Sequence, residues 1–232
     1  MELMKRKIRY SETRFFNLYH LHYYFSKNPE IDGVRKLILD FKNYEEQSVR
    51  YFLIEAIEKL QVLDIDSRVL VIRALSSQEL VIGDMGSGSL DRLGLCLAAV
   101  FDCEYDPAVI YKKRHIIPLK TLGILQRQAV LEGVYSFNAD GFERLRRVLI
   151  IDDIVTTGST ARAIAAPILK VFPNADIMVF AIGWTPTARQ QEYIQEREKN
   201  SYILNEPEII YNTQAKWFDA DYEFGETHIA VE

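Results

Sequence analysis

The run Val148-Leu149-Ile150-Ile151-Asp152-Asp153-Ile154-Val155-Thr156-Thr157-Gly158-Ser159-Thr160 constrains the fold more than any other part of this 232-residue chain. Its first four residues are apolar without alternation, the pattern of a strand buried on both faces of a parallel sheet. Residues 161–171 then read as a helix, so the run is a strand-to-helix turn at the edge where open α/β sheets bind ligands. In the loop from Val155 to Thr160, Thr156, Thr157, Ser159 and Thr160 offer hydroxyls and Gly158 allows close backbone approach. The helix that follows presents free N–H groups to an anion. Such a pocket suits a phosphate monoester.

Asp152 and Asp153 would repel that phosphate at hydrogen-bonding range, so they face a part of the ligand that donates hydrogen bonds or carries Mg²⁺. The vicinal hydroxyls of a ribose fit. The residues therefore read as a site for a ribose 5-phosphate end. A strand that merely ends in two acids before a capped helix leaves the order of these elements unexplained.

Four apolar residues, two acids, two spacers and Thr-Thr-Gly-x-Thr resemble, without a gap, the 5-phosphoribosyl-1-pyrophosphate (PRPP) signature of type I phosphoribosyltransferases. A wider resemblance is to the ComF-like group of these enzymes. Gly33-Val34-Arg35-Lys36-Leu37-Ile38-Leu39-Asp40-Phe41-Lys42 is similar to its Gly-x-x-Arg-x-Leu-Ile-x-x-(Leu/Phe)-Lys segment, and Arg127-Gln128-Ala129-Val130-Leu131-Glu132-Gly133-Val134-Tyr135 to its Arg-x-x-Asn-Val-x-Gly-Ala-Phe. Three departures stand out. Val130 replaces the Asn, the Arg-Gly-Phe-Asn after the first core strand is reduced to Gly86 in Met85-Gly86-Ser87-Gly88, and the cysteine-rich amino-terminal finger of many ComF proteins is absent.

The resemblance implies an α/β fold, a phosphoribosyltransferase-like parallel sheet flanked by helices with a small hood from terminal segments. It implies transfer of a phosphoribosyl group from PRPP to a small-molecule nitrogen acceptor, a nucleobase or an amine, with release of pyrophosphate. Mg²⁺ is the implied cofactor, held mainly by PRPP and otherwise by the catalytic pair Asp152 and Asp153. The pyrophosphate loop falls at Ala74, Leu75, Ser76 and Ser77, whose N–H groups would meet the anion. A mobile basic loop from Lys112 to about Leu131 would supply Lys112, Lys113, Arg114, Lys120 and Arg127. Thr156 stands where enzymes for 6-oxopurines carry an aspartate, which argues against hypoxanthine and guanine as acceptors. A PRPP-sensing regulator without turnover would use the same residues.

Elsewhere, Asn43 with Glu46 resembles a capping box before a helix carried by Val49, Phe52, Leu53, Ala56, Ile57 and Leu60. Residues 68–75 read as the first core strand, 90–101 as a helix, 108–111 as the next strand and 176–184 as another core strand. Pro167 is expected to kink or interrupt the helix after the signature. The chain is expected to form a single domain over 1–232, with an aromatic-rich extension at about 1–30, a core at about 65–184 and a tail at about 185–232 containing a polar helix at 187–200. Leu80-Val81-Ile82-Gly83-Asp84-Met85-Gly86-Ser87-Gly88-Ser89 resembles the strand and Asp-x-Gly-x-Gly turn of S-adenosylmethionine methyltransferases. It also comes near a P-loop but lacks the lysine.

A net charge of −5 argues against a nucleic-acid-coating protein. The aromatic residues at 10–25 are expected to cover a core edge or a dimer contact, so a homodimer is allowed. His20 and His22 lack a third ligand for a metal. Cys96 and Cys103 match no redox or zinc spacing and read as reduced core residues. No export segment or apolar run of membrane-spanning length is read in the sequence, so a cytoplasmic location is expected.

Thr157→Val deletes one phosphate hydrogen bond, worth about 1.5–3 kcal/mol to a charged partner. Affinity for ribose 5-phosphate and for PRPP should fall together in calorimetry while pyrophosphate binds as before. An equal loss for pyrophosphate would assign the loop to the other end of the ligand.

Overall fold

Val148, Leu149, Ile150 and Ile151 are completely buried at the centre of the molecule, in strand β7 (Arg147–Val155). The computed structural model describes residues 3–25, 32–81, 88–117, 122–142, 145–192 and 194. All elements below belong to Met1–Gln191, one compact unit; of a second, Glu192–Glu232, only residues 192 and 194 are described.

On one side β7 pairs in parallel with β3 (Val69–Arg73), which pairs in parallel with the short β4 (Glu104–Tyr105). On the other side it pairs in parallel with β8 (Asp176–Trp184), which pairs in parallel with β2 (Phe15–Tyr23). The edge strand β1 (Met4–Arg9) is antiparallel to β2. The six-stranded order is thus β1-β2-β8-β7-β3-β4, a mostly parallel sheet flanked by helices.

Two crossovers decide where the helices go. From β3 the chain passes through α3 (Ser89–Phe101) to β4, and from β7 through α5 (Ser159–Val171) to β8, in opposite directions across the sheet. Right-handed crossovers therefore set α3 and α5 on opposite faces. With α3 lie α1 (Asp32–Lys42) and α2 (Glu46–Leu60), whose Ile38, Phe41, Val49 and Phe52 pack with Val71, Leu149 and Phe180 of the sheet. Alternate residues Leu70, Ile72, Val148, Ile150 and Val179 point the other way, toward the side of α5. There Ile164, Ala165 and Ile168 are buried. Each large side chain so removed from water contributes about 1.5–3 kcal/mol.

Several expectations are corrected. The first strand after α3 is the short β4, and the strand expected at residues 108–111 falls at 110–112, outside the main sheet. After Tyr105 the chain turns through a 3-10 segment, Pro107–Val109, and leaves the sheet. Pro107 cannot donate to a ladder. Ile110–Lys112 instead forms β5, paired antiparallel with β6 (Tyr135–Phe137) in a separate excursion that encloses α4 (Ile124–Leu131). Asn43 does not cap α2. Its N–H still donates to Leu39 at the end of α1, Tyr44 takes φ 64°, and Glu45 sits at the cap without a side-chain bond. Nor does Pro167 interrupt α5, which runs through it to Val171.

The aromatic amino-terminal segment is part of the sheet itself, with Phe16, Leu18 and Leu21 buried in β2. Exposed Lys5, Arg6 and Lys7 line the outer strand, a placement that discourages edge-to-edge pairing. His20 and His22 are both buried, and burial pushes the His20 pKa down to about 4. His22 Nε2 lies 2.8 Å from Glu55. Both cysteines are free. No helix of the described residues is long and apolar enough to cross a membrane.

The outer strand also meets the signature loop. Gly158 holds φ 71°, and a Cβ there would stand 2.7 Å from Cγ2 of Ile8 in β1. Gly158→Ala should lower stability by at least about 1–2 kcal/mol for the left-handed backbone alone. In urea unfolding, Ile8→Ala should recover only the part of the loss that comes from the clash; an unchanged midpoint for Gly158→Ala would mean that the loop is not held in this form.

Candidate active site

Because β3 and β7 are neighbours whose helices leave in opposite directions, their carboxyl ends border a crevice of the kind in which open α/β sheets bind ligands. A cavity of about 790 Å³ occupies it. Residues 74–77 after β3 and 152–160 from the end of β7 both line it, so the structure brings together the two clusters expected from sequence. The pairing itself sets the juxtaposition. Arg73 stands opposite Ile151, and the Ala74 N–H donates to the Ile151 carbonyl at 2.9 Å.

The loop after β7 gathers hydroxyls and helix-start N–H groups at the cavity. Gly158 is the residue before α5, and the first N–H groups of a helix find no partner inside it. Thr157 Oγ1 and Ser159 Oγ lie 2.8 Å apart. Behind them Arg162 donates to Ser159 Oγ at 3.0 Å and to the Thr157 carbonyl at 3.1 Å. Arg127 of α4 donates to Thr156 Oγ1 at 3.0 Å and so closes the loop from the excursion side.

Asp152 and Asp153 sit in different electrostatic environments. Asp153 makes an ion pair with Lys42, the last residue of α1, and accepts from the Ile154 N–H at 2.6 Å. Burial alone would lower the Lys42 pKa, but the charge and hydrogen bond of Asp153, with Asp152 and Tyr24 behind them, carry it upward. Asp152 has no cation in direct contact among the described residues. Burial, and after it the Asp153 charge, hold its acid well above the usual carboxylate range, against the opposing pull of Lys42. Two adjacent carboxylates, one lacking a counter-ion, fit a hard cation that takes its remaining oxygens from a bound phosphate ligand. No larger group of ligating side chains surrounds a point among the described residues.

The loop after β3 rests on a buried ionic network. Arg73 donates from Nε to Asp91 at 2.6 Å and from Nη2 to Glu79 at 2.7 Å. Glu79 also accepts from the Ser76 N–H at 2.7 Å, and Asp91 from the Tyr105 hydroxyl at 2.6 Å. Burial pushes all three charged groups toward neutrality, and their mutual hydrogen bonds outweigh it. Arg73 shifts up, and Glu79 and Asp91 shift down.

The basic residues expected of a mobile loop are dispersed. Lys112 is buried at the end of β5, and its ammonium donates to the carbonyls of Leu75 and Ser76. Lys113 is exposed, with its backbone N–H on Val134, and Arg114 donates to the Val130 carbonyl at 3.1 Å. Neither lines the cavity, whereas Arg127 does. Lys120, the glycine turn at 83–87 and the tail at 195–232 lie outside the described residues.

Sequence reasoning missed Arg73, Glu79, Asp91, Lys42, Tyr24 and Thr185, all part of the cavity wall or its support. Arg73 left a signal, a charge ending an otherwise apolar strand, since a buried charge demands partners. Thr185 gave none, although its Oγ1 is buried without a partner among the described residues. The chain matches no protein-family model, and no curated protein is similar to it.

An acid whose pKa is raised by folding binds more protons folded than unfolded, so its contribution to stability falls as pH climbs above the ordinary carboxylate range. Asp152→Asn should therefore be more stable than the wild type at pH 7. The difference in urea midpoint should shrink as pH is lowered to about 4; a difference independent of pH would mean that Asp152 titrates normally.

Proposed function

We propose that this protein is a type I phosphoribosyltransferase-like enzyme that transfers the 5-phosphoribosyl group of PRPP to a nitrogen acceptor and releases pyrophosphate. The observation that carries the reading is one cavity lined by two loops at the ends of adjacent strands, with two carboxylates beside them. That order, phosphate loop, diol acids, second phosphate loop, follows the ligand from its 5-phosphate through its ribose to its pyrophosphate. The volume, about 790 Å³, lies within the range of pockets that enclose small ligands.

In this reading the hydroxyls and N–H groups of residues 156–160 hold the 5-phosphate and fix the ribose. Asp152 and Asp153 accept from the 2- and 3-hydroxyls, and their charge favours the positive character that develops at the reacting carbon. The N–H groups of Leu75 and Ser77 stabilise the leaving pyrophosphate, those of Ala74 and Ser76 being held by the Ile151 carbonyl and Glu79. Leu39, Phe41, Leu90 and Ile154 supply apolar wall against water. Bound Mg²⁺, held by Asp152, Asp153 and oxygens of PRPP, would neutralise charge on the pyrophosphate. The Thr156 hydroxyl, held by Arg127, takes the place of the aspartate of 6-oxopurine enzymes, so the proposal leaves out hypoxanthine and guanine.

The test is pyrophosphate release from PRPP and Mg²⁺ across a panel of pyrimidines, adenine, pyridine acids and amines, with PRPP binding followed by calorimetry. Turnover is expected with at least one acceptor. The double variant Asp152→Asn with Asp153→Asn should stay folded and lose about 100-fold or more in PRPP affinity, as two charge-assisted hydrogen bonds imply. Binding without release for any acceptor would favour a PRPP sensor. No binding of PRPP, with S-adenosylmethionine bound instead, would overturn the reading.

A further inference from the structure

We propose that Lys112 is a positioning residue that holds the loop at residues 74–79 in its pyrophosphate-accepting form by turning peptide carbonyls away from the cavity. The inference rests on the pyrophosphate assignment above. It concerns a residue that resemblance alone would have placed in a mobile loop over the ligand.

Lys112 is only 3 % exposed, and no carboxylate forms an ion pair with it among the described residues. A buried ammonium is costly unless it is well hydrogen-bonded. Here it donates to the Leu75 carbonyl at 3.3 Å and to the Ser76 carbonyl, and it lies 5.6 Å from the centre of the Tyr135 ring. The backbone N–H of the same residue donates to the Leu80 carbonyl at 2.7 Å. One residue of β5 thus ties the loop at both ends.

In a trans peptide the carbonyl of one residue and the N–H of the next point in opposite directions. Arg73 Nη1 takes the Ala74 carbonyl at 3.2 Å, which turns the Leu75 N–H the other way. Lys112 takes the Ser76 carbonyl, which turns the Ser77 N–H the other way. The Ser76 N–H is used by Glu79, but those of Leu75 and Ser77 meet no acceptor among the described residues. Both residues line the cavity. Two buried cations therefore each orient one free N–H of the loop.

Charge balance points the same way. Arg73 alone faces two carboxylates, Glu79 and Asp91, and Lys112 supplies the second positive charge beneath the loop. Without it the floor of the pyrophosphate site is negative. Burial lowers the Lys112 pKa to about 8, with Glu79 raising it and Arg73 lowering it further. The other groups that face the ammonium are the two carbonyls and the Tyr135 ring, whose hydroxyl titrates well above the ordinary range because it is buried. The proton on Lys112 is thus lost within an accessible pH range, and the loop loses its support as pH rises through that value.

The experiment titrates Mg²⁺-pyrophosphate and, separately, ribose 5-phosphate into the full chain at pH 7 and pH 9.5, corrected for ionisation of the ligands themselves. Wild type should lose about tenfold or more in pyrophosphate affinity between the two, with ribose 5-phosphate unchanged. Lys112→Met should bind pyrophosphate weakly at both values. Lys112→Arg, which keeps its proton throughout, should bind at both. Wild-type pyrophosphate affinity in a folded Lys112→Met protein would overturn the proposal. So would a flat wild-type profile, which decides the matter even if neither variant folds. Failure of every protein to bind ribose 5-phosphate would instead count against the phosphoribosyltransferase reading.

Discussion

Parallel pairing of β3 with β7 is the constraint from which the candidate site follows. It brings the chain after Arg73 alongside the chain after Ile151, and the two helices that follow leave to opposite faces of the sheet. Backbone N–H groups that would be spent in a ladder are left pointing into the gap between the departing segments. The hydroxyls of residues 156–160, the acidic pair and the N–H groups of Leu75 and Ser77, which meet no acceptor among the described residues, are all attached to these two strand ends.

The gap is held open by charge. Arg73, Glu79 and Asp91 form a buried network under one loop, Lys112 braces the same loop from β5, and Lys42 reaches Asp153 from α1. Removing one member of the Arg73, Glu79 and Asp91 network strands a buried charge, at a cost of about 3–5 kcal/mol, whereas Lys42 is exposed and its pair with Asp153 contributes less. Asp152 is the counterexample. Burial, and after it the neighbouring Asp153 charge, raise its pKa, and it has no cation of its own among the described residues. An acid placed at such a disadvantage, facing a cavity, is a local conflict of the kind that proteins keep at functional positions.

Much of the fold was legible in the sequence because its elements are strongly patterned. The strand at residues 148–151, the helix after Thr160, the strand at residues 176–184 and the helix at α3 all appear where apolar periodicity puts them, although the first continues through Asp152 and Asp153 to Val155. The failures have local causes. The two residues of β4 are too short to show a period, while residues 108–111 show one that serves the β5–β6 pair instead. Asn43 looked like a cap because its spacing to Glu46 was right, but α1 extends its hydrogen bonding as far as Asn43. The aromatic start of the chain gave composition without register, so its place as β1 and β2 of the main sheet went unread.

The sequence by itself determined the hydroxyl-rich loop and the acidic pair, since residues 152–160 are contiguous and short-range backbone geometry carries them to one strand end. Only the tertiary structure decided what stands around them. Lys42 meets Asp153, Arg127 meets Thr156 and Lys112 meets Leu75 and Ser76 across long separations in the chain. No local pattern encodes such contacts, because they are fixed by which strands pair and which helices cross. A buried lysine and a solvated one are written with the same letter, and burial is a property of the packed whole.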